Sequence, residues 1–179
     1  ICTSRSFPGI GLDRFQDMEE AVANFAAACS RKLREQHIVC KAMTVFAYTA
    51  RFRTDLPGDY ISGNVFFPIP TNDLQEIVSS AMNVFRTNWK GDGKYLYKKA
   101  GVIVWEISKD DEIQGDLFDT IDRDKQRKLM QAIDAVNKQN GHDTIRIASQ
   151  GYSKNWHLKN EHLSLHYTTN LEEVIRVKV

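Results

Sequence analysis

A chain of 179 residues with 42% hydrophobic and 26% charged residues has the composition of a globular protein of one medium or two small domains, which excludes disorder as the default. Its 24 Lys and Arg against 23 Asp and Glu leave a formal charge of +1, so the total excludes no nucleic-acid partner and local charge pattern must decide. The absence of a C-x-x-C pair among Cys2, Cys29 and Cys40, and of any run of about 18 apolar residues, argues against a disulfide framework, a zinc site and a membrane span, and predicts a soluble cytoplasmic protein.

The chain opens at Ile1 on a residue run that already reads as a strand, as expected of a fragment. Residues Ile1 to Phe7 alternate polar and apolar until Pro8, Gly9 and Gly11 break the run. From Asp17 to Gln36, Met18, Val22, Phe25, Cys29 and Leu33 recur at helical spacing, and Arg31, Lys32 and Arg34 suit the negative end of a helix. Cys40 to Phe52 and Tyr60 to Ile69 are rich in β-branched and aromatic residues around Asp55, Pro57 and Gly58, which predicts a hairpin. Thr71 or Asn72 is the expected cap of a second helix whose face is Leu74, Ile77, Val78, Ala81, Met82 and Phe85. Tyr95 to Ile107 is the last strand of this part. The order β-α-β-β-α-β predicts an α+β domain over residues 1–108, a sheet with two helices on one face and the other face open.

Residues 109–122 differ in kind. Asp110, Asp111, Glu112, Asp116, Asp119 and Asp122 surround a single apolar pair, Leu117-Phe118, which reads as an acidic linker. Residues 123–179 predict a small α+β domain near the lower size limit for independent folding. Its expected elements are a helix from Arg123 to Asn140 with Leu129, Ile133 and Val136 on one face, a strand at Thr144 to Ala148 and a terminal strand at Val174 to Val179.

Three motifs carry a family resemblance across nearly the whole chain. Ser4-Arg5-Ser6-Phe7 ahead of a long helix resembles the entry strand of the little-finger domain in UmuC-type Y-family translesion DNA polymerases. Tyr97-Lys98-Lys99-Ala100-Gly101-Val102 is similar to that domain's final strand. Gln114-Gly115-Asp116-Leu117-Phe118, together with a small domain ending Tyr167-Thr168-Thr169, resembles the clamp-binding peptide and carboxy-terminal extension of the family. The chain departs from the pattern at Gly115, where an apolar residue is usual, and at Leu165-His166, where Pro-Arg is common.

The resemblance implies the non-catalytic end of a polymerase. Its partners would be damaged or primer-template DNA and the β sliding clamp, with UmuD-type subunits and RecA as further partners and no membrane. Polymerase chemistry uses carboxylates around two magnesium ions; the resemblance places magnesium in the parent enzyme and no cofactor in this fragment. A sheet with one open face can present short polar and basic side chains to phosphates without reading sequence. Strand alternation puts Thr44, Phe46 and Tyr48 on one face, as it does Ser62, Asn64 and Phe66, and Thr44, Tyr48, Ser62 and Asn64 are the candidate DNA contacts there; Arg5 flanked by Ser4 and Ser6, Lys98 and Lys99 of the last strand, and Arg51 and Arg53 near the hairpin tip are the others. Each alone reads equally as an ordinary solvated residue.

Gln114, Asp116, Leu117 and Phe118 are the candidate clamp contacts, Gln at a pocket rim and Leu-Phe within it; the alternative is that Leu117 and Phe118 pack on the neighbouring domain. Trp156, His157, His162 and His166 match no ligand motif and read as surface or structural, while Lys154 and Lys159 beside Trp156 are candidates for single-stranded DNA. Two other classes stay open: an RNA-recognition-like module, which shares the element order, and a protein-interaction adaptor without DNA binding.

Overall fold

In the computed structural model, which describes residues 1–116, 119, 121–152, 155–157 and 163–174, strands and helices alternate as the periodicity predicts. They are β1 (Cys2–Ser6), α1 (Phe15–Glu35), β2 (Ile38–Thr49), β3 (Tyr60–Thr71), α2 (Leu74–Asn88) and β4 (Tyr97–Lys109), and then α3 (Arg123–Asn140). The sheet order is β1-β4-β2-β3, with every neighbouring pair antiparallel. The unit β1-α1-β2 therefore leaves a gap that β4 fills, and β3-α2-β4 leaves one that β2 fills. Neither half can close its sheet without the other.

Both helices cover the same face. Met43, Val45, Ala47, Ile61, Ala100, Val102 and Val104 point into a core with Met18, Val22, Leu33, Ile77, Val78 and Phe85, all buried. Each large apolar side chain taken fully out of water contributes roughly 1.5–3 kcal/mol. Contact is close enough that a Cβ at Gly63 would run into the Cγ1 of Val84. Phe15, Phe85, Trp89 and Tyr97 touch in series, with centroids 5.8, 5.3 and 5.3 Å apart, and join the start of α1, the end of α2 and the start of β4.

The cap of α2 differs from expectation, and α1 is capped from far away in the sequence. Asp73, not Thr71 or Asn72, caps α2: its carboxylate accepts from the Glu76 N–H at 2.9 Å. Thr71 is still paired in β3, where its hydroxyl accepts from the Asp73 N–H, and the Asn72 amide donates to the Ile38 carbonyl. At α1 the flanking Arg14 gives no side-chain cap, and Asp92 from the α2–β4 loop accepts the Phe15 N–H at 2.9 Å. Such a cap pairs residues far apart in sequence, so local pattern does not reveal it.

The carboxy-terminal region departs further. Helix α3 has its expected bounds, but Met130 and Ile133 face the core while Leu129 is 53% exposed. Ion pairs set that rotation: Arg34 holds Asp134 with two bonds of 2.6 and 2.8 Å, and Arg123 bonds Glu76 and Asp119, each at 2.7 Å. No strand forms at Thr144 to Ala148, because the Asn137 side chain takes both backbone groups of Ile145, and the chain then enters a 3₁₀ turn at Ala148–Gln150. A second such turn, Leu171–Glu173, precedes the expected terminal strand, of which residues 175–179 lie outside the described residues.

Described residues beyond α3 lie against α1. Asn24 donates to the Gln150 carbonyl at 2.7 Å, Asn155 donates to Asp17 at 3.1 Å, and Trp156 sits edge-on to Phe25 at 5.4 Å. Among the described residues beyond 122, only Met130, Gln150 and Trp156 are buried. A Cβ at Gly151, whose φ is +59°, would collide with the Glu20 side chain. Trp156→Ala is therefore expected to speed proteolysis between residues 141 and 157 in a timed digest. It should leave the urea midpoint far less changed than Phe85→Ala, for which about 3–5 kcal/mol is expected.

Candidate nucleic-acid interface

Because side chains alternate along a strand, burying Met43, Val45 and Ala47 under the helices turns Thr44, Phe46 and Tyr48 to the open face. Strand register then lays out three rows across the sheet. One runs Ser4, Gly101, Phe46, Ser62; the next Cys2, Ile103, Thr44, Asn64; the third Ser6, Lys99, Tyr48, Tyr60. Gly101 is the closest approach, since a Cβ there would lie 2.5 Å from the Ser4 Cβ and 2.6 Å from the Phe46 Cζ. Its bare backbone lets Phe46 lie across β4. These rows contain no carboxylate, in a chain with 23 acids.

The structure thus gathers Ser4, Ser6, Thr44, Tyr48, Ser62, Asn64 and Lys99 on one surface, and separates them by chemistry. Trp105 Nε1 donates to the Thr44 hydroxyl at 3.0 Å, and Thr44 donates to Asn64 Oδ1 at 2.8 Å. The Thr44 hydroxyl is engaged on both sides, so Thr44 positions its neighbour. Asn64 has its oxygen occupied and presents its amide N–H₂ outward. Ser62 and Asn64 are exposed. Arg51 lies over the Tyr48 ring at 5.0 Å, which brings its guanidinium to the Lys99 end of the same face.

Three candidates go elsewhere. Arg5 alternates to the helix side of β1, where its Nη1 is 3.2 Å from His157 Nδ1 and its guanidinium lies 5.8 Å from the Trp156 ring centre. Lys98, also on that side, donates to the carbonyls of Phe7 and Gly9 at 2.6 and 2.7 Å and ties down the β1–α1 loop. Arg53 grips Asp55 with two bonds of 2.7 and 2.6 Å, and the guanidinium holds the Asp55 carboxyl down at about 2. Its charge is matched within the hairpin tip. Strand parity shows the displacement of Arg5 and Lys98 once Ser4 and Lys99 are placed; the Arg53 pair follows from the i, i+2 spacing to Asp55.

Asp59 anchors the base of that hairpin. Tyr97 donates its hydroxyl to Asp59 Oδ2 at 2.6 Å, Lys90 pairs with Oδ1, and the Asp59 carbonyl accepts the Thr49 N–H. Burial pushes the Asp59 carboxyl up, but the bonds from Lys90 and Tyr97 outweigh it and hold its pKa below the ordinary value. Burial and the same contact push the Tyr97 hydroxyl up.

Alternation already places Phe46, Tyr48 and Phe66 on this face, and Tyr60 is the ring it did not single out. Tyr60 and Phe66 are 55% and 61% exposed on the open face, Phe66 meets Trp105 edge-on at 5.5 Å, and Phe46 stacks on Tyr48 at 6.1 Å. Their signal was the period-2 placement of aromatics opposite a buried face. Gln114 and Asp116 are exposed, while Leu117 and Phe118 lie outside the described residues, as do Lys154, Lys159 and His162. Trp156 is 6% exposed and anchors the segment beyond α3. Among the described residues no three His, Cys, Asp or Glu side chains converge as metal ligands, and no helix is long and apolar enough to cross a membrane.

Residues 1–117 match the family model described as impB/mucB/samB family C-terminal domain, and residues 127–177 match one described as Domain of unknown function (DUF4113). The chain is 35% identical over 179 residues to Protein UmuC of Salmonella typhimurium, covering 99% of this chain and 42% of that protein. It is 32% identical to Protein ImpB of Salmonella typhimurium and 30% identical to Protein MucB of Escherichia coli, each over 175 residues that cover 97% of this chain and 40% of the relative. The chain therefore spans about two fifths of the length of these relatives.

The Asp59 contacts give a pH dependence with a defined sign. A depressed carboxyl pKa adds stability above the unfolded value of about 3.9, and the gain disappears as pH falls through the folded value. Asp59→Asn is expected to be less stable than the parent at pH 7, with the gap in urea midpoint closing below about pH 4.

Proposed function

The chain belongs to the impB/mucB/samB family, and from that premise we propose that it holds a translesion DNA polymerase on its substrate: the open sheet face grips primer-template duplex and the linker tethers the enzyme to the sliding clamp. The observation that supports the grip best is a carboxylate-free face presenting Ser4, Ser6, Ser62, the Asn64 amide and Lys99, with Arg51 leaning in from the hairpin. Hydroxyl, amide and ammonium donors at strand spacing match phosphate oxygens and carry no base code. A grip of that kind suits an enzyme that must accept damaged templates. Two-metal phosphoryl transfer would belong to a palm domain in the remaining part of such a polymerase, and we assign this chain no catalytic step.

The tether reading rests on Gln114-Gly115-Asp116-Leu117-Phe118, a polar stretch with one apolar pair. The exposed Gln114 suits a pocket rim. A link to a ring that encircles DNA raises the local concentration of a weak binder at the primer end. UmuD-type subunits and RecA are further partners on this reading, and the cytoplasm is its compartment.

The exposed rings favour a second reading. Tyr60 and Phe66 on an open sheet are what an RNA-recognition-like module uses to stack unpaired bases. Titrating labelled duplex, single-stranded DNA and RNA separates the possibilities: a grip prefers duplex, a stacking module prefers single strands, and an adaptor binds none.

For the grip, affinity is expected to fall with added salt and to be the same for unrelated duplex sequences. Lys99→Ala should reduce the slope of log affinity against log salt by about one; a sequence-selective or salt-insensitive titration rejects the reading. For the tether, replacing Leu117 and Phe118 with Ala should abolish binding to the purified clamp and leave duplex affinity unchanged. Unaltered clamp binding would remove this segment as the contact.

A further inference from the structure

A cleft of about 400 Å³ lies between the edge strand β1, the outer side of α1 and the segment beyond α3. Arg5, His142, Arg146, Tyr152, Trp156 and His157 line it, and Asp143 is the carboxylate of its wall. Its size is that of a pocket for a small ligand, too small for a duplex.

Both guanidiniums in the cleft are held by rings. Arg146 lies 4.3 Å from the Tyr152 ring centre and Arg5 lies 5.8 Å from that of Trp156. Among the described residues neither forms an ion pair with a carboxylate. Stacking on a ring uses the flat face of a guanidinium and leaves its N–H edge for anions, and a planar fork of donors suits phosphate. Arg5 also donates from Nη1 to His157 Nδ1, so the His157 ring accepts at that nitrogen. Trp156 is buried against Phe25 and serves as a wall. Tyr152 is 81% exposed and offers a ring to a partner.

Ser4 belongs both to the open sheet face and to the lining of the cleft. A strand held on the sheet at Ser4 therefore reaches the cleft by passing over the edge of β1. We propose that the cleft takes single-stranded DNA continuing from the duplex on the open face, with Arg5 and Arg146 on phosphates and a base stacked on Tyr152. Charge tracking a backbone and a ring for each base are the two components of single-strand binding. The path from the duplex rests on the grip proposed above; the cleft's affinity for a single strand does not.

The test uses this chain and its Arg146→Ala/Tyr152→Ala variant with three fluorescent probes: a blunt duplex, the same duplex with a single-stranded thymidine overhang, and the free thymidine strand. The parent is expected to bind the overhang probe about tenfold more tightly than the blunt one. The variant should lose that advantage and keep its blunt-duplex affinity. Should the sheet hold no duplex, the blunt arm fails by itself, and free-strand binding that the variant loses still supports the cleft. Equal affinity of the parent for blunt and overhang probes, together with free-strand binding that the variant retains, overturns the proposal. So does a variant that loses blunt and overhang binding by the same factor.

Discussion

Burial of one sheet face beneath α1 and α2 is the constraint on which the rest of the molecule depends. Once Met43, Val45, Ala47, Val102 and Val104 are committed to the core, the period of two leaves no choice for their neighbours, and a slip of one residue would expose every one of them. The interlocked order β1-β4-β2-β3 propagates this parity across the sheet, because each split unit supplies a central strand to the other. Ser4, Gly101, Phe46 and Ser62 are thereby brought into one row from four separate stretches of sequence. The candidate interface is the complement of the core.

A different physics attaches the described residues of α3 and beyond. The outer side of α1 carries Asp17, Glu20 and Asn24 where an isolated domain would face water, and described residues after α3 cover them with hydrogen bonds and with the ring of Trp156 on Phe25. Buried polar groups tolerate this only when paired. Such an interface holds by geometry more than by apolar area. Helix α3 is fixed in the same way, by Arg34–Asp134 and Arg123–Glu76.

Much of this was legible in the chain. The β-α-β-β-α-β order and the shared face of Thr44, Phe46 and Tyr48 follow from periodicity, because tertiary packing agrees with local pattern there. Parity could also have removed Arg5 and Lys98 from the open face, since each is one residue away from a member of it. Pairing across long separations is absent from local pattern: Asp92 capping α1 from beyond α2, Asn137 diverting Ile145 from a strand, and Asp134 turning α3 so that Leu129 faces out. In each case a polar side chain satisfied a distant backbone or charged group, and hydrophobic periodicity is blind to that.

Charge accounts for the division of labour. Many of the described cations are committed within the fold: Arg34, Arg86, Lys90 and Arg123 to carboxylates on other elements, Arg31 and Arg53 to near neighbours. Lys99 and Arg51 on the open face, and Arg5 and Arg146 in the cleft, form no ion pair among the described residues. With a formal charge of only +1, the chain has no strong long-range field to draw in DNA. The proposed grip, built from so few uncommitted cations, releases few counterions and is weak at physiological salt. Weakness of that order would make the proposed tether effective, because effective concentration multiplies a modest affinity without adding a contact.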